Sequence, residues 1–307
     1  TNIPPHNLGE VIDATLYRMD NPNCRLDTIM NYIKGPDFPT GGIIEGIDGI
    51  KSAYETGRGK IIVKSKVKTE KNKIIITEIP YEVNKSLLVR KMDEIRIDKK
   101  IDGIVEVRDE SDKDGLQIAI DVKKDANINN IINYFYKNTE LQVSYNFNDV
   151  VISGRRPMLM PLLGILDAYI LHQEEIVTKR SEFDLRMAKA RYHIVEGLIK
   201  AISILDEVIK TIRASKNKAD AIHNLVEKYE FTEKQADAIV TLQLYRLTNT
   251  DIFALKQESK ELDQEVRKLK SILSSNSALN NAIIEELLHT KEIIDTPRLT
   301  QIEDEIS

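Results

Sequence analysis

Apolar and polar positions follow three rhythms along this chain, and each predicts a different kind of element. Leu8, Val11, Ile12, Leu16 and Met19 recur at helical spacing behind Asn7, with Glu10 three residues after that cap, so the pattern predicts a helix over about 7–20. A short helix near 26–33 precedes Gly35-Pro36-Asp37-Phe38-Pro39-Thr40-Gly41-Gly42, too rich in proline and glycine for regular structure. Residues 59–69 and 73–79 alternate or run β-branched around Lys71-Asn72 and predict a hairpin. Asn84 opens a helix to about 98 with Leu87, Leu88, Met92 and Ile95 on one side. Ile104 to Arg108 and Leu116 to Val122 read as strands, Asn127 to Lys137 as a helix, and Leu141 to Ile152 as mostly strand. From residue 73 the order is strand, helix, strand, strand, helix, strand, the βαββαβ order of ferredoxin-like folds, which covers one sheet face with two helices.

Beyond Pro157 and Pro161 the spacing changes to threes and fours. Leu162, Leu166, Tyr169, Gln173, Ile176, Arg180, Phe183, Met187, Ala190 and Ile194 form a heptad seam broken by Gln173 and Arg180. At ~1.5 Å per residue this helix spans roughly 50 Å. A second seam runs Ile252, Leu255, Ser259, Leu262, Val266, Leu269, Leu273. Between the seams the apolar positions, among them Leu198, Ile202, Leu205, Val208, Ile239 and Leu242, are too broad for a coiled coil. The fold class expected is therefore α+β: a ferredoxin-like βαββαβ domain, then a long antiparallel coiled coil carrying a small all-α head. Gln235 to Val240 and Leu242 to Leu247 hold more apolar residues than one helix face buries, so the head either completes its own core with them or self-associates.

Charge sharpens the first half. The net charge of −5 hides an excess over residues 51–100, where 14 Lys+Arg face 7 Asp+Glu, while residues 201–307 hold 14 against 19. Arg58, Lys60, Lys64, Lys66 and Lys68 occupy even positions of one predicted strand, with Ile61, Val63 and Val67 at odd ones, so the cations share a face. Duplex phosphates suit such a face. A solvated strand edge protected by lysine suits it too, and carries more weight on the charge pattern alone.

Other chemistry finds little support. Glu110-Ser111-Asp112-Lys113-Asp114-Gly115 with Asp121 imitates a calcium loop, but Leu116 to Ile120 alternate as a strand where that motif needs a helix, so a polar hairpin turn is expected. His6, His172, His193, His223 and His289 are scattered without metal-ligand spacing, Cys24 is the sole cysteine, and no phosphate-cradling glycine loop or nucleophile elbow is present. No metal site is expected, and composition alone nominates none of the eleven tyrosines as a nucleophile. No apolar run reaches the ~20 residues a membrane helix needs. The single cysteine and absent leader suggest a cytoplasmic protein, and the start at Thr1 with Pro4-Pro5 close behind reads as an internal piece of a longer one.

Five runs carry a resemblance: Thr1-Asn2-Ile3-Pro4-Pro5-His6-Asn7, Gly35 to Gly41, Ala53-Tyr54-Glu55-Thr56-Gly57-Arg58-Gly59, Glu78 to Lys85 and Arg108-Asp109-Glu110-Ser111-Asp112. In this order they resemble the A subunits of bacterial DNA gyrase and topoisomerase IV. Leu242-Gln243-Leu244-Tyr245-Arg246-Leu247-Thr248-Asn249-Thr250-Asp251 is more similar to the topoisomerase IV form. The resemblance implies a homodimer joined by two B subunits in an A2B2 enzyme, nucleoid-associated, that decatenates and relaxes DNA by double-strand passage. It places ATP and Mg²⁺ on the B subunit and puts the nucleophilic tyrosine in a winged-helix domain upstream of Thr1, so it implies no catalytic residue in this chain. It also implies boundaries: the end of a DNA-binding domain and a linker helix (1–29), a "tower" (30–156), an outgoing coiled-coil arm (157–199), an exit-gate dimerisation head (200–248), and a returning arm with a C-terminal segment (249–307). On this resemblance Arg58, Lys60, Lys64, Lys66 and Lys68 are expected to face DNA, and Ala238, Leu242, Leu244, Tyr245 and Leu247 to form the dimer contact. The alternatives are the corresponding part of DNA gyrase and a non-enzymatic coiled-coil scaffold.

Overall fold

The computed structural model describes residues 2–242, 246, 251–294 and 296–304. The chain divides into two compact units, Thr1–Leu171 with Glu286–Ser307, and His172–Glu285 inserted between them.

The first unit opens with α1 (Leu8–Asp20), capped as expected by Asn7, whose side chain accepts from the Glu10 amide. The capping box is only half made, because the Glu10 carboxylate is taken by Arg298 and the Lys34 amide. The short helix α2 is limited to Leu26–Ile29. Then come β1 (Ile43–Glu45), α3 (Ile47–Thr56), β2 (Arg58–Lys64), β3 (Lys66–Glu70) and β4 (Lys73–Glu78). They are followed by α4 (Lys85–Ile97), β5 (Ile104–Asp109), β6 (Ile118–Val122), α5 (Ile128–Asn138) and β7 (Gln142–Asn148). Asn84 and Asn127 cap α4 and α5 through their side chains, which accept from Leu87 and Asn130 amides. The expected single strand over 59–69 is in fact broken at Ser65, which is fully buried, so β2 and β3 join different sheets.

The βαββαβ element order from residue 73 is present, but its pairing departs from the ferredoxin plan. There the last strand would flank the first; here that place beside β4 belongs to β3, in the order β3-β4-β6-β5. β7 instead pairs with β2 across seven residues, from Arg58↔Asn148 to Lys64↔Gln142. Local β3–β4 pairing through the Lys71-Asn72 turn, with Asn72 at φ 59°, closes that edge before β7 is reached in sequence. Ile74, Ile76, Leu88, Met92, Ile118, Ile120 and Phe135 form the core beneath α4 and α5. The Asp109–Gly115 segment is the polar hairpin turn expected, with Asp112 and Gly115 paired backbone to backbone.

The other sheet is completed from far along the chain. Its order is β10-β1-β2-β7, where β10 (Gln301–Glu303) runs parallel to β1. No strand was expected there. Arg298 fixes this return: it pairs with Glu10 through two nitrogens at 2.7 Å and donates to the Gly35, Pro36 and Thr300 carbonyls. Buried Thr300 accepts from the Phe38 amide and donates to Gly41 O, both at 2.8 Å. Gly35, Pro36 and Asp37, legible only as a turn, are the receiving half of this clasp.

In the second unit, α6 (Leu162–Ser203), which begins in the first, leads to α7 (Leu205–Ala214), α8 (Lys218–Tyr229) and α9 (Glu233–Thr241). α10 (Ile252–Ser274) and α11 (Asn276–Ile293) return, with a break at Ser275. Ala201, Val208, Leu225, Phe231, Ala236 and Ile239 form the head's core. Thr232 and Gln235 make a full capping box on α9, and Gln235 packs where a Cβ on Gly197 would sit. Arg191 of α6 pairs with Glu258 of α10 at 2.7 Å, and Ser259 donates to Glu196. These links join the last third of α6 to the first third of α10, as an antiparallel return requires.

The α10 seam lies as expected, with Leu255 and Leu269 buried. The α6 seam is displaced by one position beyond Leu166. Val177, Ser181, Ala188 and Val195 are buried, whereas Ile176, Phe183 and Met187 are 40%, 53% and 58% exposed. Two apolar stripes lie about 100° apart on this helix; the buried one carries the small Ser181 and Ala188, and the bulkier one is left outside.

Candidate nucleic-acid interface

Close backbone packing sets up the basic strand. Gly49 of α3 and Gly59 of β2 face each other, and a Cβ on Gly49 would run into the Lys60 carbonyl. Gly57, at φ 86°, ends α3 in the left-handed region glycine favours. Thr56 Oγ1 donates to Arg58 O at 2.9 Å and accepts from Arg58 N at 3.1 Å, while Ser52 Oγ also donates to Arg58 O. The main chain at Arg58 is thus held before its side chain meets any partner. Beneath it, His6 Nδ1 lies 2.8 Å from Pro4 O and Nε2 2.7 Å from the Tyr54 hydroxyl. A carbonyl only accepts, so Nδ1 carries the proton and Nε2 accepts from Tyr54. Burial lowers the His6 pKa and keeps the ring neutral.

Alternation then sorts the side chains. Ile61 and Val63 point into the core; Arg58 and Lys60 are exposed on the other face. Their direct neighbours on β7 are Asn148 and Asn146, followed by Ser144 and Gln142, so this half of the face is cationic and amide-bearing without a carboxylate. Asn2 bridges to Asn148 through both backbone bonds and donates its side-chain amide to Asn146 O, widening the face by one residue. Among the described residues neither Arg58 nor Lys60 has an ion-pair partner.

The face changes sign toward β1. Lys64 pairs with Glu45 at 2.6 Å and lies 5.0 Å from the Tyr136 ring centre; Glu303 of β10 stands in register with Glu45. The structure therefore brings together Arg58 and Lys60, ties Lys64 to a carboxylate, and puts exposed Lys66 and Lys68 on β3 in the second sheet. The even-numbered polar residues of β7 were not singled out from sequence, although their alternation with Val143, Tyr145 and Phe147 was a usable signal.

Directly after Asn148, Asp149 is 4% exposed, its Oδ1 has no hydrogen-bond partner, and burial pushes its pKa up to about 6. Every resolved tyrosine shift is upward and caused by burial: Tyr54, Tyr145 and Tyr169 are raised, and Tyr136 reaches about 12. No group of metal-ligating side chains occurs among the described residues, and no helix among them is long and apolar enough to cross a membrane. Of the expected dimer contact, Ala238 and Leu242 are half-buried at the end of α9; Leu244, Tyr245 and Leu247 lie outside the described residues.

The chain is 58% identical over 311 residues to the A subunit of DNA topoisomerase 4 from Bacillus subtilis (strain 168). It is 59% identical over 312 residues to its counterpart from Staphylococcus epidermidis (strain ATCC 12228 / FDA PCI 1200), and 61% identical over 311 to that from Staphylococcus aureus (strain MW2). All of this chain is covered in each case, and it spans 39% of the length of each of these relatives. The family of DNA gyrase/topoisomerase IV A subunits matches residues 1–288, and the chain belongs to that family.

Proposed function

We propose that this chain is the duplex-supporting and dimer-forming part of a topoisomerase IV A subunit, and that Arg58 and Lys60, with Ser144, Asn146 and Asn148, contact the DNA backbone. The observation that carries the reading is the pair of unpartnered cations beside a strand that offers only neutral hydrogen-bonding groups. Cations attract phosphates at long range, and amides and hydroxyls donate to phosphate oxygens at short range; neither reads sequence. Lys64 contributes less, because Glu45 already neutralises it. Lys66 and Lys68 serve a separate stretch of the same backbone from the second sheet.

In the enzyme, two such chains work with two B subunits that bring ATP and Mg²⁺. Strand passage then yields decatenation and relaxation. This chain holds and orients a duplex while the cleavage chemistry is done elsewhere. The head joins the second copy through Ala238, Leu242, Leu244, Tyr245 and Leu247.

The test uses the full-length protein carrying Arg58→Glu and Lys60→Glu, assembled with its B subunit, ATP and Mg²⁺. Duplex affinity should fall about tenfold or more with a flatter salt dependence, since each lost phosphate contact removes about 0.9 from the slope. Decatenation should fall with it. Unchanged affinity and slope would overturn the reading.

A further inference from the structure

The hairpin of β8 (Val150–Ser153) and β9 (Arg156–Leu159) belongs to neither four-stranded sheet. A lone two-stranded hairpin is marginal in water, yet this one exposes Ile152 at 82% and Met158 at 48%. Only Asp149 separates β8 from β7, and the alternation of exposure passes through it. Ser144 and Asn146 face outward, Phe147 and Asp149 are buried, and Ile152 is outward again. The face that carries Arg58 and Lys60 therefore continues onto the hairpin.

Its base is tied to the same place. Asp149 N donates to Gly57 O at 2.9 Å, Met160 N donates to Asp149 O at 3.0 Å, and Leu159 packs where a Cβ on Gly57 would lie. The tip is a two-residue turn, Gly154 at φ 58° and Arg155 at φ 69°, the form that matches strand twist. Arg155 occupies a left-handed conformation that a glycine would adopt more easily. From Val150 to Met160 the only charged residues are Arg155 and Arg156, both exposed and without an ion-pair partner among the described residues.

We propose that the β8–β9 hairpin is a second contact with the same duplex: a ribbon lying in the major groove, with Ile152 and Pro157 against base edges and Arg155 and Arg156 on the flanking phosphates. Pro157 is the cross-strand neighbour of Ile152, so the two form one apolar face. Four-residue strands reach about 13 Å, and a two-stranded ribbon fits a groove about 12 Å wide and 8.5 Å deep. Absence of any carboxylate on the ribbon favours a polyanion over a protein surface of mixed charge. This inference rests on the duplex-facing reading of Arg58 and Lys60.

The experiment places a photo-crosslinking residue at Ile152 in the full-length protein and irradiates it with a labelled duplex. A covalent DNA adduct is expected; an adduct to protein alone, or none to DNA, overturns the proposal. In parallel, Arg155→Ala with Arg156→Ala should weaken duplex binding about tenfold and lower the salt slope by about 1.8. Arg58→Ala with Lys60→Ala is the reference. If the reference pair weakens binding while the hairpin pair changes neither affinity nor slope, the hairpin proposal fails and the sheet reading stands. If neither pair has an effect, both fail.

Discussion

Replacing Asp149 by Asn should stabilise the protein at neutral pH and do so less in acid. The carboxylate is 4% exposed, one of its oxygens has no hydrogen-bond partner, and burial raises its pKa from 3.8 to about 6. At about 1.4 kcal/mol per tenfold change, keeping it ionised in the folded state costs about 3 kcal/mol above pH 6. The remaining accessible edge lets water screen part of this, which leaves about 2 kcal/mol. The sign follows from proton uptake. Between pH 3.8 and 6 the folded state holds the proton that the unfolded state releases, so stability falls as pH rises through that window and the full cost is present above it. Asparagine is nearly isosteric and never ionises. The variant should melt about 4–8 °C higher than the parent at pH 8, and the gap should shrink by roughly half at pH 5. Thermal melts of both proteins at the two pH values measure this. A gain independent of pH, or a loss at pH 8, would refute the assignment of Asp149 as an uncompensated buried acid.

Three further outcomes test other parts of the fold. Arg298→Ala removes the paired contact to Glu10 and three backbone carbonyl contacts, and should cost about 3 kcal/mol in urea unfolding; a loss under about 0.5 kcal/mol would show that the clasp is idle. Gly49→Ala drives a methyl into the Lys60 carbonyl and should destabilise by about 2 kcal/mol while lowering duplex affinity, so an unaltered melt and affinity would contradict the close α3–β2 packing. On α6, Met187→Glu should change stability by less than about 0.5 kcal/mol, whereas Ala188→Glu puts a charge into the buried seam and should cost at least about 3 kcal/mol; the reverse order would restore the seam read from sequence.

Local signals were legible and long-range ones were not. Asn7, Asn84 and Asn127 announce their helices because a cap acts within three residues. The alternation of Ile61 and Val63 with Arg58 and Lys60 fixes which side of β2 faces out. Nothing in residues 59–69 announces that buried Ser65 breaks the strand, because the alternation continues across it. Pairing of β7 with β2 and of β10 with β1 depends on partners remote in the chain, and strand pattern does not name a partner. On α6 both stripes have heptad spacing, and spacing does not choose between them; the buried one holds the small Ser181 and Ala188, whose weak hydrophobicity gives no signal in the sequence. For the interface, the cations were visible, but the carboxylate that ties up Lys64 comes from Glu45 on a neighbouring strand.

The late arrival of β10 bears on how the protein is made. A ribosome adds about 5–20 residues per second, so His172–Glu285 occupies it for on the order of ten seconds after the first unit's early strands have emerged. Throughout that interval the outer edge of β1 is bare, and bare strand edges invite foreign pairing. The Glu10 carboxylate and the Gly35 and Pro36 carbonyls likewise wait in water for Arg298. Nascent chains halted before residue 298 should be aggregation-prone intermediates whose exposed edge a chaperone would shield, and the emergence of Arg298 and β10 is what seals them.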